Sequence, residues 1–205
     1  MSEPMVYSPA KFHPTGHRRP VHRPREYEQG EGNAEKFYTT ALILSSQGRT
    51  EVPDLSEYVN LEMLFLGDNE LDDFIGLDKL VNLTVLDLEN NHLTDFDDFP
   101  KFPNLVMLNV KRNGITTFRG LPELPKLRMF SADDNNIRSF YRLPVFPNLL
   151  ELSLRDNVLM DFDDFPYLPK LRGLSLENNP IDENDPYIQK LRDGGVDVNV
   201  HYSEI

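Results

Sequence analysis

Two copies of one acidic motif, Asp95-Phe96-Asp97-Asp98-Phe99 and Asp161-Phe162-Asp163-Asp164-Phe165, are the first place to look for chemistry. Three carboxylates in four residues could attract a divalent cation. A calcium loop, however, spaces its oxygen donors over a longer stretch and turns on a glycine. Neither copy meets those demands, and solubility of the segment is their expected role. His13, His17 and His22 follow at spacings of 4 and 5, but Pro14 and Pro20 break the segment between them. They cannot share a helix face, so no zinc set is read there. Gly30-Glu31-Gly32 lacks the flanking strand and helix of a phosphate loop. No Gly-x-Ser-x-Gly occurs and there are no cysteines, which removes thiol nucleophiles, thiolate metal sites and disulfide caps. The sequence therefore predicts no enzyme, no metal, no cofactor and no small-molecule substrate.

The elements that carry those residues are copies of one unit. Asn69, Asn91, Asn113, Asn135, Asn157 and Asn179 recur every 22 residues. With Leu61 as position 1, position 4 reads Leu64, Leu86, Leu108, Phe130, Leu152, Leu174. Position 6 reads Leu66, Leu88, Val110, Ala132, Leu154, Leu176, and position 11 reads Leu71, Leu93, Ile115, Ile137, Leu159, Ile181. This is L-x-x-L-x-L-x-x-N-x-L, the leucine-rich repeat pattern, and a fixed period in this range means a stacked solenoid. Positions 3 to 6 alternate as a short strand does, with 4 and 6 inward and 3 and 5 outward. Position 14 is Phe74, Phe96, Phe118, Phe140 and Phe162, expected to stack as an aromatic spine. The Asn amide is expected to bond the neighbouring turns on both sides, because buried backbone groups need partners. Paired prolines in the returns, such as Pro100 with Pro103 and Pro122 with Pro125, disfavour long helices there. The fold class is therefore an α/β solenoid of about seven units, with a parallel concave sheet and mostly extended or short helical returns. One unit cannot bury its apolar face alone, so stacking holds the coil together.

The chain divides into four parts. Residues 1–38 form a Pro-rich basic N-terminal arm with no regular structure. Residues 39–60 form a degenerate capping repeat, 61–181 the repeats proper, and 182–205 a C-terminal cap of a short helix plus an edge strand. Asp185, Pro186 and Gly194 supply the start and stop of that helix, and Val196, Val198 and Val200 alternate as the strand. In the arm, Lys11, Arg18, Arg19, Arg23 and Arg25 run without an acid across residues 11–25. An RNA or an acidic protein surface is the partner such a run would take, with a solvated tail as the plain alternative. The arm carries six Lys/Arg and five Asp/Glu, a net of +1, so the rest of the chain carries −13 − 1 = −14.

The outward positions locate a binding face. Position 3 offers Met63, Val85, Met107 and Met129, and position 5 offers Phe65, Asp87, Asn109 and Ser131. Lys111, Asp133 and Arg155 follow at position 7. A contiguous apolar block is informative where scattered apolar residues are not, and methionine adapts to varied partners. Either a protein partner or the chain's own arm could cover it. No apolar run approaches a membrane span and no signal peptide opens the chain, so an intracellular, cytoplasmic protein is expected, with the nucleus or a cytoskeletal assembly as other settings.

These 22-residue units resemble the short intracellular leucine-rich repeat class. That class includes a regulatory subunit of protein phosphatase 1, a leucine-rich axonemal dynein light chain, a spliceosomal subunit and acidic nuclear phosphoproteins. The resemblance spans residues 39–181. It implies a curved right-handed coil and a non-enzymatic scaffold or adaptor that captures a protein on its concave face. A structural component of a large assembly (axoneme, ribonucleoprotein or virion), anchored by the arm, is the alternative. The chain lacks the class's amphipathic N-terminal capping helix and long acidic tail. The first departure implies that the arm or another protein covers the edge around Leu42 and Leu44.

Overall fold

A computed structural model describes residues 5–7 and 31–201. Its frame is a parallel ladder of three-residue strands, one per coil: β2 (Ala41–Ile43), β3 (Met63–Phe65), β4 (Val85–Asp87), β5 (Met107–Asn109), β6 (Met129–Ser131), β7 (Glu151–Ser153) and β8 (Gly173–Ser175). β9 (Asp197–Asn199) closes the sheet after α2 (Pro186–Asp193), and β1 (Met5–Tyr7) opens it, ahead of α1 (Glu31–Tyr38). The pairing steps by 22 residues without a slip, from Ala41 on Met63 to Glu151 on Gly173. From β3 to β9 the middle residue of each strand is buried, and its neighbours are more exposed. Among the described residues, the returns between β2 and β8 contain turns and no helix, as their prolines dictate.

The Asn column holds adjacent coils together. Asn91 Nδ2 donates to Leu66 O and Leu88 O, and its Oδ1 accepts from Leu71 N at 2.9 Å. Asn135, Asn157 and Asn179 repeat the pattern. The expectation of bonds to both neighbours needs correction: each amide reaches its own coil and the preceding one. The following coil is joined by its own Asn. The first coil, with Gln47 in place of Asn, lends the Gln47 and Arg49 N–H groups to Asn69.

The phenylalanine spine also differs from expectation. Phe74 stacks on Phe96 and Phe140 on Phe162, but Phe96 and Phe118 each meet Phe130 edge-on. Phe130 replaces the usual Leu at position 4, and Ala132 replaces the usual position 6 residue in the same strand. A larger and a smaller side chain keep the coil's volume near constant, which is what close packing requires. Tyr187 of α2 stacks on Phe162 at 5.2 Å and ends the column.

Both ends are covered. Asp185 caps α2 by accepting from Tyr187 N, and Arg192 of α2 donates to Val198 O at 2.8 Å, occupying a carbonyl of β9. At the other end, residues 1–38 do not lack regular structure. β1 pairs antiparallel with β2, Met5 opposite Ile43 and Tyr7 opposite Ala41. α1 is tied to the first return by the Lys36–Glu57 ion pair and by Asn60 Nδ2 donating to Phe37 O. A short helix is therefore present before the first coil, and a segment of the arm pairs with the edge strand. An unpaired edge would template association. The basic candidates Lys11, Arg18, Arg19, Arg23 and Arg25 lie outside the described residues.

Candidate binding surface

Backbone register sets the concave face. Met63, Val85, Met107 and Met129 are directly cross-strand from one another. With strands about 4.8 Å apart, the row runs for about 14 Å. Met129 is 44% exposed and stands at the end of the row, next to Glu151. The Glu151 carboxylate lies over Gly173, where a Cβ would meet Oε2 at 1.9 Å. Phe65 lies beside the row, paired with Ile43 on one side and Asp87 on the other.

The polar candidates form two clusters. In the first, Asp87 accepts from Glu89 N and Asn109 Nδ2, and Asn109 also donates to Glu89 and accepts from Lys111 N. In the second, Asp133 is buried and gathers Ser153 Oγ at 2.5 Å, Arg155 N at 3.0 Å, Lys111 Nζ at 3.1 Å and Ser131 Oγ at 3.4 Å. Lys111 stands between the two clusters. The Arg155 guanidinium turns to Glu177. Lys111, Ser131, Asp133 and Arg155 are thus brought together, but mostly to tie coils to one another. The apolar row stands outside both clusters.

Burial raises the Asp87 carboxyl above its ordinary value of 3.8, and the Glu89 N–H and Asn109 amide only partly offset this. The folded chain then holds a proton that the unfolded chain has released, so stability falls as pH rises from 3.8 through the raised value. Asp87→Asn removes that penalty. Its stability relative to the parent, measured by urea unfolding across pH 3 to 7, should climb through this window and level off above it. A difference that does not vary with pH contradicts the assignment.

Three features carry no signal in the leucine pattern. Position 8 is left-handed in every coil: Ser46, Asp68, Asn90, Arg112, Asp134, Asp156 and Asn178 all have positive φ. The Asp and Asn residues there are the clue, since they tolerate that conformation best. A second Asn ladder precedes the strands: Asn60, Asn82, Asn104 and Asn148 donate to Phe37, Val59, Val81 and Pro125 carbonyls. Lys126 and Lys170 stand in that column and donate to Asn104 Oδ1 and Asn148 Oδ1. A shallow trough of about 500 Å³ follows this edge from Asn60 and Glu62 to Val106 and Lys126. Third, the acidic motifs serve local turns rather than solubility alone. Asp95 and Asp161 accept from the N–H two residues on, and Asp98 and Asp164 are left-handed. Among the described residues no cluster of His, Asp and Glu could hold a metal, and no helix is long and apolar enough to cross a membrane.

The comparisons agree with this geometry. The family description "Leucine Rich repeats (2 copies)" matches residues 59–101, and "Leucine rich repeat" matches residues 81–137. No curated protein sequence matches the chain. Among solved structures, an internalin (InlF) from Listeria monocytogenes is similar at a TM-score of 0.59 and 19% identity, covering 84% of this chain and 58% of its own. Internalin C2 of the same organism gives 0.58 and 22%, covering 83% and 84%. A leucine-rich repeat protein of Leptospira interrogans gives 0.58 and 22%, covering 80% and 50%. The chain thus spans about half the length of two of these structures. At such identities the likeness concerns the fold. Folds of this kind commonly serve as protein-binding scaffolds and are generally not enzymes. With seven 22-residue coils, an Asn column through six of them and both matches inside the coil, the chain carries leucine-rich repeats and has the leucine-rich repeat fold.

Proposed function

We propose that the chain is a non-catalytic adaptor that captures a protein partner on its concave sheet. Met63, Val85, Met107 and Met129 provide the apolar contact, with Phe65 beside them. One observation carries this reading: four consecutive strands present an uninterrupted apolar row outward, while the polar residues around it are hydrogen-bonded within the coil. Apolar residues on a pre-formed sheet gain from burial without first breaking polar bonds. Rigid strands also lose little entropy on binding. Asp87, Asn109 and Lys111, with Ser131, Asp133 and Arg155 next to them along the same side of the row, would set orientation. The large-assembly alternative rests on the basic arm, and no observation on the described residues favours it.

The test uses charge insertion. Met107→Glu and Met129→Glu should each weaken partner binding by about 2 kcal/mol or more, about thirtyfold. Met160→Glu should change it little, since Met160 is 69% exposed on a return segment. Both concave substitutions fall on outward positions, so unfolding midpoints should hold. Undiminished binding by both concave variants sinks the reading.

A further inference from the structure

The edge where the chain enters each strand gathers Lys126, Arg128, Lys170 and Arg172 within two coils of one another. Backbone bonds place Val106, Arg128, Leu150 and Arg172 in one row, each N–H donating to the carbonyl of the residue before it in that order. Lys126 and Lys170 lie two residues earlier in the same coils as the arginines. Several basic side chains of the coil stand in ion pairs: Lys111 with Asp133, Arg112 with Asp134, Arg119 with Asp95 and Asp97, Arg155 with Glu177. Among the described residues the Arg128 and Arg172 guanidinium groups have no carboxylate within ion-pair distance, and both residues are exposed. Lys126 and Lys170 are each steadied by one Asn oxygen, at 2.7 and 2.6 Å, which leaves two donors of each ammonium open. In a chain of net charge −13, this is a local basic strip, bounded by Glu62 at one end of the row and Asp197 at the other.

We infer that this edge is a second binding surface, and that it takes an extended acidic peptide segment. Arg128 and Arg172 are two strands apart, about 10 Å, a span that three residues of extended chain cover. Leu150, half-buried, lies between them and offers an apolar seat. The trough of about 500 Å³ that ends at Lys126 continues the bed along the coil axis, past the amides of Asn104 and Asn82. Guanidinium groups take carboxylates in bidentate pairs, and cations already held in place lose little freedom on pairing. A peptide is favoured over a nucleic acid because the bed alternates cations with Leu150 and Val106, whose aliphatic side chains are not platforms on which bases stack. This surface lies beside the concave row, goes beyond the adaptor reading and does not rest on it.

The experiment is fluorescence anisotropy on the full chain at low salt, with a fluorescein-labelled peptide of glutamates around one central leucine. Arg128→Ala/Arg172→Ala should weaken binding tenfold or more. Arg138→Ala, an exposed cation on a return segment, should change it less than twofold. Added salt should weaken the parent and leave the double variant nearly unaffected. Both arginines are exposed, so matched unfolding midpoints confirm that folding is intact. The inference is overturned if the parent does not bind, or if Arg138→Ala weakens binding as much as the double variant. It is also overturned if a single-stranded oligonucleotide of equal charge binds the same edge more tightly, which would assign the strip to nucleic acid. Met107→Glu reads the concave row separately, so either surface can fail alone.

Discussion

Asn157→Asp should cost more stability than Asn157→Ala, although it is the closer in shape. The Asn157 amide is buried and its Nδ2 donates to Ala132 O at 2.9 Å, Leu154 O at 3.1 Å and Arg155 O at 3.0 Å, while Oδ1 accepts from Ile137 N at 2.9 Å. Alanine strands these groups, at about 1–3 kcal/mol for each that stays dry, or about 3 kcal/mol in all. Aspartate keeps the bond from Ile137 but turns a carboxylate on three carbonyl oxygens. Its folded pKa is then raised, so the deficit shrinks as pH falls toward the unfolded value near 4, where protonation restores one donor. Because coils touch only their neighbours, the damage falls on the junction of two coils, and unfolding should split into two transitions. Urea titrations of both variants at pH 4 and pH 7 check this. An aspartate variant as stable as the parent at pH 7 would remove the Asn column from the account.

Gly120→Ala is the second large effect. A Cβ there would meet Phe96 O at 2.2 Å and Asp97 N at 2.6 Å, all backbone, with φ at +87°. The close approach follows from Phe96 N donating to Arg119 O at 3.1 Å, which draws one return against the next. Left-handed backbone alone does not require glycine at this point of the coil, since Asp98, Arg142 and Asp164 hold φ of 62°, 65° and 61° at equivalent positions. The clash does. The expected loss is about 3 kcal/mol or more, from strain plus displaced backbone. Gly48→Ala is the internal control: φ is +61° with nothing within 4 Å of the added carbon, so about 1–2 kcal/mol should go. Thermal unfolding of the pair separates the two causes. Equal losses would show that the turn, not the packing, decides.

Much of the coil is legible because it repeats. Leu64, Leu86 and Leu108 recur at one spacing, and only a strand stacked on its copies satisfies that spacing with that alternation. The Asn column reads as structural because one polar residue type holds a fixed step through six consecutive units of leucines. What escapes is whatever breaks the repeat or is shared between units. Phe130 with Ala132 resembles noise in a column of leucines, yet together they interrupt the aromatic stack. The second ladder hides because lysine alternates with asparagine at Lys126 and Lys170, and only hydrogen bonding shows the two types in one row. α1 is eight residues with a polar composition, so no apolar stripe marks it. β1 is three residues whose pairing depends on an edge 34 residues away, which no local pattern encodes. On the candidate surface, residue identity gives which groups point outward. It does not give which are already engaged: Asp133 reads as a free acid in the sequence and is the most heavily bonded carboxylate on the face.

The most direct test of the concave reading uses the methionines themselves. Growing the protein with a diazirine analogue of methionine arms Met63, Met107 and Met129 on the concave row and Met160 on a return segment with the same chemistry. Illumination of the partner complex, followed by mapping of the joined peptides, reports which of them touches the partner. Crosslinks from Met107 and Met129 to one protein are expected, with little from Met160 despite its greater exposure. Crosslinks from Met160 with none from the concave row would contradict the concave reading.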